Sequence, residues 1–186
     1  DHISRIIKNG KVLFEQPDLQ VEISGDKSQL NLKDILEFAD TVNLEDVREL
    51  LETQISYNTA IAEEGLNNFW GASVGRTILD AEPGSTLQRA RAAAAAGSDA
   101  RMNGCALPVV INSGSGNQGI TCCMPIVVYA RDLGCSHEQL LRALTLSNLI
   151  SIHQKRFIGN LSAYCGAVSA GTAAACGIAY LQGADY

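Results

Sequence analysis

Beyond Phe14 the sequence carries few residues patterned for a β-strand and many patterned for helices, which restricts the fold class at once. Leu36, Ala39 and Val42, then Val47, Leu50 and Leu51, recur at three- and four-residue spacing, so each set lies on one helical face. Thr41-Val42-Asn43-Leu44-Glu45-Asp46 reads as a helix break followed by a capped restart, opening a helix that runs to about Glu64 and stops at Gly65. Thr86 to Ala96 reads as another, with five consecutive alanines before Gly97. Ser136-His137-Glu138-Gln139 has the pattern of a capping box, opening a helix through Ile152. Only Val109 to Ile111 and Ile126 to Tyr129 compete as strands, and Met124-Pro125 stands before the second. The expected fold class is mainly α, a bundle-like helical domain.

A β-hairpin is expected in front of it: Ile3 to Ile7, a tight Asn9-Gly10 turn, then Val12 to Phe14. A lone hairpin is not stable in water, so its sheet partners are expected outside this sequence. Residues 15–31 are polar and turn-rich, a linker. The expected division is 1–30, hairpin and linker of an incomplete α+β domain, and 31–186, a helical domain truncated at its C-terminus. The chain then reads as an internal fragment of a larger protein, with no signal peptide in view. With 46% hydrophobic but only 5% aromatic residues, its core must rest on aliphatic side chains and alanine. A net charge of -6 without a dense basic cluster argues against a nucleic-acid partner. Six cysteines in so long and apolar a chain read as reduced cytoplasmic thiols, mostly packing groups, rather than a disulfide framework.

Function is best sought in Ser113-Gly114-Ser115-Gly116-Asn117-Gln118-Gly119, a polar glycine-rich loop between two apolar runs. Glycine permits close approach and unusual dihedrals, and a helix starting near Asn117 would present free N–H groups to a carboxylate or phosphate. Gly114 to Gly119 also matches G-x-G-x-x-G, but Pro125 would fall early in the expected helix and no second strand follows, so the context argues against a dinucleotide turn. A glycine-rich turn without a ligand stays open.

Asp99 and Arg101, just past the alanine helix, either pair across a pocket, with Arg101 free to grip a carboxylate, or serve as a cap and a surface charge. Cys165 and Cys176 lie eleven residues apart, about three helical turns, but no C-x-x-C pair accompanies them. His153 reads as either a base or a core histidine. The uncharged segment Phe157 to Ala184 is long enough to cross a bilayer, yet it is built of Ala, Gly, Ser, Thr and Cys. Small residues at Gly166, Ala170 and Ala174 and at Gly171 and Ala175 favour a buried helix in a soluble bundle, with no membrane partner.

Taken together, Ser98-Asp99-Ala100-Arg101-Met102, the Ser113-to-Gly119 loop with Ile120-Thr121 and Met124-Pro125, and Leu161-Ser162-Ala163-Tyr164-Cys165-Gly166 resemble a known family. It is the L-cysteine desulfidase group, relatives of the α-chain of iron–sulfur-dependent L-serine dehydratase. The resemblance covers most of the chain from about Leu30 onward. It implies a cytoplasmic lyase with a [4Fe–4S] cluster held by three cysteines, one iron staying open to substrate. Only Cys165 matches a ligand position; the other two ligands and the segment proposed to supply the catalytic base are absent from this sequence. The resemblance further implies that Ser113, Gly114, Ser115, Gly116, Asn117 and Gln118 bind the substrate amino acid, with Asp99 and Arg101 shaping the pocket. L-cysteine would lose sulfide to give pyruvate and ammonia. L-serine with loss of water, and a non-catalytic amino-acid-binding module, are the alternatives. A homo-oligomer is compatible with an exposed apolar helix.

Overall fold

The computed structural model describes residues 3–16, 25–82, 84–159 and 162–184, and apart from one small hairpin it is helical. Strands β1 (Arg5–Lys8) and β2 (Lys11–Glu15) pair antiparallel around Asn9 and Gly10, both at positive φ, as an Asn-Gly hairpin turn requires. Every residue of both strands is exposed, including Ile6, Ile7, Leu13 and Phe14, and no helix packs on them. Of the expected linker, residues 17–24 lie outside the described residues, and 27–29 form a single 3-10 turn capped by Asp26.

Seven α-helices follow among the described residues: α1 (Leu32–Thr41), α2 (Glu45–Asn67), α3 (Val74–Ala81), α4 (Thr86–Met102), α5 (Gly116–Leu133), α6 (His137–Ile158) and α7 (Gly171–Leu181). The break between α1 and α2 falls where the sequence places it. Asn43 Oδ1 accepts from the Glu45 N–H there at 3.3 Å. The capping box at the start of α6 is complete, with Ser136 and Gln139 each bonding the other's backbone N–H.

Two expected helix ends are wrong for one reason. Neither Gly65 nor Gly97 stops its helix; both sit inside it where another helix crosses. A Cβ on Gly65 would lie 2.1 Å from the Ala96 carbonyl oxygen, and one on Gly97 3.1 Å from Ile120 Cγ2. Gly65 lies against backbone and Gly97 against a side chain, and neither ends its helix. Consequently α2 reaches Asn67 and α4 reaches Met102, so Asp99 and Arg101 belong to the last turn of α4. With Ala90, Ala92, Ala93, Ala96 and Ala100 buried, α4 offers methyl groups only, which lets α2, α3 and α5 close around it.

Helix α5 is the centre of the molecule, burying Ile120, Cys122, Cys123, Ile126 and Val127 between α2, α4, α6 and α7. The strand signals do not survive: Ile126 to Tyr129 are helical, and Val109 to Ile111 have no regular secondary structure and no strand partner among the described residues. Pro125 sits inside α5, costing one backbone hydrogen bond that the surrounding packing outweighs. A second cluster joins Ile35 and Ala39 of α1 to Cys122, Leu146, Ile150, Ala170 and Ala173.

The Phe157 to Ala184 segment is not one buried helix. It comprises the end of α6, a π-helical turn over Cys165–Ala170, and α7, while Asn160 and Leu161 lie outside the described residues. Of the small residues expected to pack, Ala170 and Ala174 are buried, but the glycines differ. Nothing approaches Gly166 or Gly171, whereas a Cβ on Gly177 would meet Ile126 Cδ1 at 2.3 Å. No helix of the described residues is long and apolar enough to cross a membrane.

Candidate functional site

The loop between the Val109 to Ile111 run and α5 is a tight turn with its own hydrogen bonds. Asn112 and Ser115 exchange both backbone bonds, at 3.1 and 3.0 Å, leaving Ser113 and Gly114 as the two corner residues. Both corners have positive φ, 47° and 82°, the signature of a type I′ turn. Gly114 takes this conformation freely, whereas Ser113 is held in it by what lies beneath.

Ser115 ends the turn and caps α5, its Oγ accepting from the Gln118 N–H at 3.4 Å. The N–H groups of Gly116 and Asn117 belong to the first helical turn, where no intrahelical acceptor exists. Arg101 reaches over from the end of α4. It packs on Gly116, where a Cβ would sit 2.2 Å from Nε, and its Nη1 donates to Asn117 Oδ1 at 3.1 Å. A guanidinium and a helix N-terminus thus converge on one exposed spot, both favouring an anion.

Asp99 plays another part. Its Oδ2 accepts from the Val74 N–H at 2.8 Å, holding the start of α3 against the end of α4, and it makes no pair with Arg101. Gln118, expected among the substrate contacts, turns its side chain inward and is fully buried. Its Nε2 donates to Asn112 Oδ1 at 3.3 Å and to Ser151 Oγ at 2.5 Å, while Oε1 has no partner.

Beneath the turn lies a buried chain of amides. Asn112 Nδ2 donates to the Asn148 carbonyl oxygen and to its Oδ1, at 3.2 and 3.0 Å. Asn148 and Gln54 bond reciprocally across α6 and α2, at 2.8 and 3.0 Å. Asn58 of α2 receives the Val110 N–H at 3.0 Å and donates to the carbonyls of Val110 and Gly119. These four residues, with Ser151, set the position of the loop, and a search for apolar spacing passes over them. A signal was available: Gln54 and Asn58 continue the stripe Leu51–Ile61 at helical spacing, so two polar residues occupy core positions. A cavity of about 240 Å³ opens beside the turn, with Gln54, Asn112 and Asn148 on its floor and Phe38, Leu50 and Ile152 on its walls.

Burial pushes the Cys122 thiol up to about 12 and the Cys123 thiol well above its usual range, so both stay protonated in the core. Burial also raises the thiol of Cys176. Among the described residues no three His, Cys, Asp or Glu side chains lie close enough to hold a metal ion. Cys165 begins the π-helical turn. His153 packs edge-on against Phe157, and its buried Nδ1 has no partner.

The sequence profile of the family described as serine dehydratase alpha chain matches residues 12–186. The chain belongs to that family. It is 52% identical over 187 residues to a UPF0597 protein of Desulfitobacterium hafniense, covering 100% of this chain and 44% of that protein. A UPF0597 protein of Lachnoclostridium phytofermentans is 53% identical over 184 residues, 98% of this chain and 44% of its own length. Another from Finegoldia magna is 48% identical over 187 residues, 97% and 43% of the two chains. The chain therefore spans less than half the length of these relatives. No solved structure matches it. Among the described residues, the Ser113–Asn117 turn brings the Arg101 guanidinium and the free N–H groups of a helix N-terminus together.

Proposed function

We propose that the full-length protein is an amino-acid lyase that removes the β-heteroatom of its substrate, eliminating sulfide from L-cysteine to give pyruvate and ammonia. The observation that carries this reading is the convergence of Arg101 with the N-terminus of α5 over a preformed turn. There the substrate carboxylate accepts from the N–H groups of Gly116 and Asn117 and from the hydroxyls of Ser113 and Ser115, Gly114 giving it close approach. Arg101 supplies the countercharge. Asp99 steadies the turn of α4 that carries it, and Gln118 positions the loop from within. L-serine, losing water by the same route, is the second reading, favoured by the family description.

The described residues offer no complete ligand set for an iron–sulfur cluster. Cys165 is proposed as one ligand, the remaining ones and the base that takes the α-proton coming from outside these 186 residues. When bound, the cluster supplies a Lewis-acidic iron. The work of this chain is to fix the carboxylate so that the Cα–H and the Cβ–S bonds hold one orientation. Proton removal and loss of hydrogen sulfide leave aminoacrylate, whose imine tautomer takes up water and releases ammonia.

The test is steady-state kinetics of the full-length enzyme, anaerobically reconstituted, on L-cysteine and L-serine. Arg101→Gln and Asn117→Ala are expected to raise KM about tenfold or more with smaller effects on kcat. Unchanged KM and kcat in Asn117→Ala would overturn the loop assignment. Cys165→Ala is expected to lose the iron–sulfur absorption band together with turnover.

A further inference from the structure

A second cavity, of about 330 Å³, opens on the other half of α5 between α2, α3 and α4. Its residues on α5 lie eight to sixteen positions beyond Gly116, roughly 12–24 Å along the helix axis, so it is separate from the turn. The walls are apolar, formed by Leu66, Leu79, Met124 and Val128 among others. The rim is charged in a balanced way. Arg89 and Asp132 pair with each other there, and Thr86 also donates to Asp132 at 2.5 Å. That leaves one cation and one anion, Arg131 on α5 and Glu63 on α2, both exposed and neither engaged in a hydrogen bond or an ion pair among the described residues. Four charges summing to zero disfavour a lone anion or a lone cation. They suit a ligand that brings both.

We infer that this cavity binds a zwitterionic α-amino acid with an aliphatic or thioether side chain, its carboxylate toward Arg131, its ammonium toward Glu63 and its side chain among Leu66, Met124 and Val128. The volume is in the range of small-ligand sites. The occupant bridges α2 and α5 next to Asn58, the α2 residue that bonds Val110 and Gly119 ahead of the turn and after it. This site is independent of the reading given to the loop.

Isothermal titration of the full-length protein with L-leucine tests it. Saturable binding is expected, weakened about tenfold or more by Arg131→Gln or Glu63→Gln, both surface changes, and abolished by Val128→Phe. Ser115→Ala, which removes a loop hydroxyl and the α5 cap at the far end of that helix from the cavity, is expected to leave it intact. 4-Methylpentanoate and 3-methylbutylamine, each lacking one charge, are expected not to bind. The inference is overturned by the absence of saturable binding to the parent protein, by Arg131→Gln and Val128→Phe both binding as the parent does, by loss of binding in Ser115→Ala, or by 4-methylpentanoate binding as well as L-leucine.

Discussion

Gly119 is the residue that lets the run before the turn lie directly on α5. A Cβ there would fall 2.0 Å from the Val110 carbonyl oxygen, and that oxygen cannot retreat without breaking the clasp of Asn58 on both segments. Gly119→Ala is expected to destabilise the fold by about 1–3 kcal/mol, seen as a lower urea midpoint at unchanged slope. Its neighbours were partly legible. Gly114 announces a turn by residue type alone and serves as one, whereas Ser115, read from the sequence as a substrate contact, also caps α5. Gln118 does not announce its role, because a glutamine in a polar loop reads as a surface contact. Whether such a side chain faces solvent or core depends on what packs from α6, and Ser151 and Asn112 drew it in.

At the scale of elements, starts were easier to read than stops. A side-chain cap such as Ser136 is local chemistry, confined to four residues, and the sequence displays it. The ends at Gly65 and Gly97 were misplaced because a glycine that ends a helix and one that admits a crossing helix are the same letter. Only tertiary contact separates them. The hub that ties elements together was also out of view: Asn148 joins α6 to α2 through Gln54 and to the turn through Asn112. Asn148→Leu strands the buried Gln54 amide, at about 1–3 kcal/mol, while Asn112 keeps its bond to the backbone carbonyl at that position. Thermal denaturation is expected to show that loss. In a double-mutant cycle Gln54→Leu should add less on the Asn148→Leu background than on the parent, since the partner group is already gone.

For the molecule as a whole, the mainly helical class with an N-terminal hairpin follows from hydrophobic period and from Asn9-Gly10, both strong signals. Burial of cysteine gives the whole fold a pH dependence. Folded Cys122 ionises only at about 12, and Cys123 is raised likewise, while the thiols of the unfolded chain ionise near the ordinary thiol value of 9.0. Above that pH the unfolded state binds fewer protons than the native state, so stability falls as pH rises from about 9 toward 12. Urea midpoints between pH 8 and pH 10.5 are expected to decline, and Cys122→Ala to flatten part of that decline. A slope unchanged by that substitution would place the alkaline sensitivity elsewhere.

The turn at Ser113 and Gly114 is closed by its own backbone bonds and held from below by Asn112, all of which form when the chain folds. Conformational entropy for these corner residues is therefore lost during folding and not again on association. On the reading proposed above, a ligand arriving at the start of α5 meets donors already fixed by the fold. Its affinity is then set by desolvation and charge, and its arrival rate by diffusion rather than by the time a loop needs to close.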